Sequence, residues 1–165
     1  MRFLIDKGPL IATFIKCPET NICRELLAAL KGERCQYGDV QGLIASHHIT
    51  ELFTKLSNPS VIYPPFKHSF LNQIVKEFGK FGNMRIFSMS SYELEKGLRK
   101  MEEERFYTSD TEEANLYWTI KNNDIERIVT FNENKFRGFP DIKKQSPREF
   151  LKDLKNFTFR NISGF

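Results

Sequence analysis

The feature that most constrains this chain is an alternation. Short apolar runs of three to five residues are separated by longer stretches with helical spacing. Residues 1–5 (MRFLI) read as a buried strand that ends at Asp6, with Gly8 and Pro9 breaking it. Residues 19–31 carry Ile22, Leu26, Leu27 and Leu30 on one helical face, and Gly32 stops them. Residues 43–45 read as a short strand or a helix lead-in, followed by a helix over 47–56 with Ile49, Leu52, Phe53 and Leu56 inward. A helix over 66–81, a strand over 85–88, helices opened by Ser90-x-x-Glu93 and Ser109-x-x-Glu112, and a strand over 127–130 follow. Ser146-Pro147-Arg148-Glu149 is the clearest helix start. Strands separated by helices predict a mostly parallel sheet with helices on both faces. Ligands then bind beyond the carboxyl ends of the strands.

With 165 residues, one domain is expected, drawn over 1–155 with 156–165 as an extension, either a further strand or a loosely held tail. Sixteen Phe residues are a large apolar load for one core. A net charge of +4 permits an anionic partner without demanding one. Cys17, Cys23 and Cys35, with no CxxC pair, read as free thiols. No signal peptide or membrane-length apolar run is seen, so a cytoplasmic protein without membrane contact is expected. Phosphate loops of the GxxxxGK[ST] and GxGxxG types are absent. His47 and His48 are adjacent and so diverge on a helix, which argues against zinc.

Oxygen-bearing side chains recur just after the apolar runs: Asp6, Glu51, Asp110 with Glu113, and Asn132. Asp110 and Glu113, three apart, share a helix face, from which Glu112 points away. Each has an ordinary structural use, as a cap, a solvated helix face or a turn. Together, converging in one cleft, they would repel one another unless a divalent cation joined them. An all-oxygen set suits Mg²⁺ or Mn²⁺ rather than zinc. The basic stretch Lys135, Arg137, Lys143, Lys144 and Arg148 reads as loop charge or as phosphate contact.

Residues 127–151 (RIVTFNENKFRGFPDIKKQSPREFL) closely resemble the C-terminal signature of PIN-domain proteins: an apolar strand, Thr-x-Asn, a nearby Phe, then Ser-Pro-x-x-Phe-Leu. Asp110-Thr-Glu-Glu113-Ala114, Ser46–Leu56 (SHHITELFTKL) and the opening RFLID resemble, in order, the family's acidic helix start, its Glu-bearing helix and its first strand with Asp. The resemblance implies a three-layer α/β/α Rossmann-like fold. It implies an endoribonuclease dependent on Mg²⁺ or Mn²⁺, often the toxin of a toxin–antitoxin pair, with RNA as substrate, an antitoxin protein as partner and a homodimer as the assembly. Asp6, Glu51 and Glu113 would be the main metal ligands, with Asp110 as neighbour or substitute. Asn132 would fill the fourth position, as in a subgroup, and Thr130 would position the site through its hydroxyl. One departure stands out: Asp6 is followed by Lys7-Gly8 where the family has Thr or Ser, then Asn. Lys7 would either oppose a metal or meet an RNA phosphate. The alternative implied is a weak or inactive PIN-like module that binds RNA or protein.

Overall fold

The computed structural model describes residues 1–31 and 40–162, with side chains through residue 156, so Cys35 lies outside the described residues. The described chain holds β1 (Arg2–Ile5), α1 (Lys7–Phe14), α2 (Thr20–Lys31), β2 (Gln41–Ala45), α3 (Ser46–Ser57), α4 (His68–Phe78), β3 (Met84–Phe87), α5 (Ser91–Glu103), α6 (Thr111–Asn122), β4 (Arg127–Val129), a 3-10 turn (Glu133–Phe136), β5 (Lys143–Gln145) and α7 (Pro147–Ile162). The strands form one sheet in the order β3-β2-β1-β4-β5, and every pairing is parallel.

Side chains alternate across a strand, and the core divides accordingly. Phe3 and Ile5 face one side, where α2, α3, α4 and α7 supply Leu26, Leu30, Leu52, Leu71, Phe78 and Phe150; Leu4 faces the other, against Leu116, Tyr117 and Ile120 of α6. These are the three layers expected. The aromatic load goes largely into them: Phe3 packs on Phe150 with ring centroids 4.4 Å apart, and Phe106 stacks on Tyr117 at 4.3 Å. Trp118 is packed too, against Gly97 of α5 and with Nε1 on the Met101 sulfur. Cys17 and Cys23 are free thiols, and burial pushes the Cys23 thiol up to about 12.

Local signals hold at two capping boxes, while Ser109-x-x-Glu112 forms none, α6 being capped by Asp110. The Ser90 hydroxyl accepts from the Glu93 N–H while Glu93 accepts from the Ser90 N–H, and Ser146 and Glu149 repeat the pattern. Three elements differ from expectation. Gly8 and Pro9 end β1 but also open α1, because Pro at the third helical position forfeits an N–H that has no helical acceptor anyway. The stretch 143–145, read as basic loop charge, is the edge strand β5; charged residues are at home on a short edge. Beyond residue 155 the backbone continues as α7 to Ile162 rather than as a strand or loose tail. No helix among the described residues is long and apolar enough to cross a membrane.

Candidate functional site

The strand order reverses at β1: the chain moves to β2 on one side and to β4 on the other. A crevice opens at the carboxyl ends of such a pair. Asp6 directly follows β1 and Thr130 directly follows β4, and the Thr130 hydroxyl donates to Asp6 Oδ2 at 2.8 Å. Asp6 is 4% exposed. It also caps α1, with Oδ1 accepting from the Lys7 N–H at 2.8 Å. The carboxylate is therefore fixed from both flanking strands.

Two lysines join it to the other acids. Lys135 Nζ lies 3.3 Å from Asp6 Oδ1 and 2.5 Å from Glu112 Oε1. Lys7 Nζ lies 2.8 Å from the same Glu112 oxygen and 2.7 Å from Glu51 Oε2. Asp6, Glu112 and Glu51 thus converge as a chain of carboxylates with an ammonium at each junction. Burial alone would raise the Glu112 carboxyl, but hydrogen bonds and charge from Lys135 and Lys7 outweigh it and hold the group at about 2. Burial opposes the Lys7 ammonium, yet Glu112 and Glu51 outweigh that as well and raise its pKa above the ordinary lysine value. Both groups are charged at neutral pH.

His48 forms the floor. It is fully buried, and its Nδ1 lies 3.2 Å from the Ile5 carbonyl. A carbonyl only accepts, so Nδ1 carries the proton and Nε2 is bare. Burial and the neighbouring His47 lower its pKa to about 4. The 3.6 Å approach of Nε2 to Asp6 Oδ1 is therefore not an ion pair at neutral pH but the contact of two acceptors. His47 packs edge-on against His48 at 4.3 Å.

Of the residues singled out in the sequence, Asp6, Lys7, Glu51 and Thr130 come together here. Glu113 and Asp110 are engaged elsewhere: Glu113 Oε2 accepts from the Thr108 hydroxyl at 2.6 Å, and Asp110 caps α6 through the N–H groups of Glu112 and Glu113. Asn132 sits at the exposed mouth; its N–H donates to Thr130 Oγ1, and its side chain is not part of the ion-pair chain. The acid that meets Lys7 and Lys135 is Glu112, which the sequence reading turned away from the cleft. The cap explains the difference. Asp110, not Ser109, caps α6, so Glu113 is the third helical residue and folds back toward the cap, while Glu112 projects across to Lys7 of α1 and Lys135 of the 3-10 turn. Asp110-x-x-Glu113 could have signalled that register. Lys135 was visible only as part of a basic stretch. Three others of that stretch are engaged away from these acids: Lys143 pairs with Asp153, Arg137 with Asn134, and Lys144 with the Phe139 carbonyl.

Among the described residues, no group of three or more His, Cys, Asp or Glu side chains is disposed to hold a metal ion. The reason is local: the carboxylate oxygens that converge are already bridged by Lys7 and Lys135. The oxygen donors suit a hard cation, but as arranged these residues do not fit one.

No family model matches the chain, and no curated protein matches it. Among solved structures, it is similar to VapC20 of Mycobacterium tuberculosis, described as a toxin that cleaves the sarcin–ricin loop. The TM-score is 0.53 at 10% identity, over 83% of this chain and 95% of that one. At that identity the likeness is one of fold: a PIN-like, Rossmann-type α/β/α arrangement.

Proposed function

We propose that this chain, through a single PIN-like domain over residues 1–155, is an endoribonuclease that hydrolyses RNA phosphodiester bonds at the Asp6–Glu51–Glu112 pocket. The observation that carries this reading is the convergence of three carboxylates from three separate segments at the reversal point of the sheet. The layers do not need acids there, and crowding them is unfavourable unless the charge is used. A fold likeness to a toxin that cuts RNA supports it.

In this reading Thr130 and the Lys7 N–H orient Asp6. Lys7 and Lys135, with side chains 29% and 20% exposed, turn toward phosphate oxygens, a role suited to ammonium point charges. Glu51, the most exposed of the three acids, accepts the proton of the attacking water. Asn132 contacts RNA at the mouth. Asp110 and Glu113 hold the start of α6, so that the third acidic role passes to Glu112. Mg²⁺ or Mn²⁺, implied by the family resemblance, would need the oxygens that the lysines hold, and no step is assigned to it. A toxin role adds a cognate antitoxin and a homodimer, read out by growth arrest on expression and by sedimentation.

The test is incubation of the purified chain with single-stranded RNA in Mg²⁺, in Mn²⁺ and in EDTA. Cleavage that Asp6→Asn removes supports the proposal; intact RNA under all three conditions sinks it. A second reading, an RNA- or protein-binding module without cleavage, is favoured by one observation: every acid of the pocket is already ion-paired, and Glu112 at about 2 is a poor base. RNA that binds and stays whole selects that reading.

A further inference from the structure

Crowded carboxylates are ordinarily neutralised by a cation from outside the chain. Here the cations come from inside it. Lys7 contacts Glu51 and Glu112, and Lys135 contacts Glu112 and Asp6, all at 3.3 Å or closer. Three carboxylates and two ammoniums leave the cluster a single formal negative charge. Neither lysine is a stray surface arm. Lys7 is the residue after Asp6, and its own N–H is bound to that carboxylate. Lys135 lies in the 3-10 turn beside the fully buried Phe136, with its Nζ 5.3 Å from that ring. Both stems are anchored next to the acids that their heads contact.

A divalent ion needs several of these oxygens at once, at distances that leave no room for an ammonium on the same atoms. It would also bring two positive charges to a cluster with only one left to neutralise.

We propose that Lys7 and Lys135 are the resident cations of this pocket: their ammonium groups take the place between Asp6, Glu51 and Glu112 that a divalent ion would occupy, and they keep such ions out. The inference rests on the proposed function only for the identity of the pocket. It runs against the metal dependence that the family resemblance implies. It also carries a converse: deleting the two lysines should expose an all-oxygen ion site.

The experiment is titration of Mn²⁺ alone, without RNA, into the purified full chain, followed by calorimetry and by the Mn²⁺ paramagnetic resonance signal. The wild-type chain should show no saturable uptake up to about 1 mM. The Lys7→Met/Lys135→Met chain should bind at least about tenfold more tightly and melt at a higher temperature with Mn²⁺ than without, because the ion binds only the folded form. Adding Glu112→Gln should abolish that uptake. Saturable binding by the wild-type chain that Glu112→Gln removes, or a folded double variant that takes up no Mn²⁺, overturns the inference. Should the double variant not fold, the single variants decide: each should bind Mn²⁺ more tightly than wild type, and equal affinity in all three overturns it. The outcomes separate from those of the cleavage assay. A wild-type chain that binds Mn²⁺ defeats this inference and leaves the ribonuclease reading intact; RNA that stays whole does the reverse.

Discussion

The two ends of the sheet each carry a carboxylate held between cations, and they differ in kind. Where β4 and β5 begin, Asp153 of α7 accepts from Arg127 Nη1 at 2.7 Å and Lys143 Nζ at 2.8 Å, and also from Nε2 of Gln145, the last residue of β5, at 3.0 Å. Led by Lys143, these partners hold its carboxyl at about 2. One acid serves two cations, and all the groups belong to elements that pack side by side, so assembly of the fold accounts for them. At the carboxyl ends the ratio is inverted, three acids to two cations, and the acids come from segments far apart in sequence. Similar pKa values thus arise at both ends from cations beside the carboxyl, although one end is a structural pin and the other carries a surplus of acids. Perturbed acidity alone does not mark a site; the surplus of like charge does.

The sharpest way to break this contrast is a matched pair of amides. Asp6→Asn should lower RNA cleavage on the order of 10²-fold or more, while Asp153→Asn leaves the initial rate unchanged. Equal rates in both would erase the distinction. Acid titration comes next. Glu112 and Asp153 lie below their ordinary carboxyl values, so their contribution to stability is complete above about 4.5 and is lost as the pH falls toward about 2. His48 separates the two ends earlier. Its pKa is depressed from 6.5 to about 4, so the unfolded chain takes up that proton first, and stability falls as the pH drops through this window. Melting curves should decline between pH 6.5 and 4, and His48→Gln should flatten that decline while Asp153→Asn leaves it in place. The smallest effects are on stability at neutral pH. Asp153→Ala should cost about 1 kcal/mol by chemical denaturation, because Lys143 is largely exposed and its pair is screened. Glu112→Gln should cost less, since Lys7 keeps Glu51 and Lys135 keeps Asp6.

What the sequence made legible follows the range of the forces involved. β1, α2, α3 and the caps of α5 and α7 are written in side-chain periodicity and in residues three apart, and they appear within a residue or two of expectation. β5 was illegible because Lys143-Lys144-Gln145 becomes a strand only by pairing with β4. α1 was illegible because Gly8-Pro9 signals an ending as strongly as a beginning. At the pocket, Asp6 and Glu51 could be picked out because one directly follows a strand and the other rides the helix that leaves one, whereas Thr130 and Lys7 stood out only against the motif of the resembled family. Glu112 was missed by a single register step at a helix cap, which turns a side chain by about 100°. Lys135 was missed because nothing local distinguishes it from its basic neighbours; only the folded path from β4 brings it to Asp6.

Asp6 stops a strand, starts a helix and carries charge, and these duties respond differently to replacement. Asparagine caps helices about as well as aspartate, and the Thr130 hydroxyl can turn to accept from an amide. Alanine would unfasten the first turn of α1 as well as discharge the crevice. Any loss of function in an alanine variant would therefore confound architecture with electrostatics, and the isosteric amide is the replacement that tells them apart.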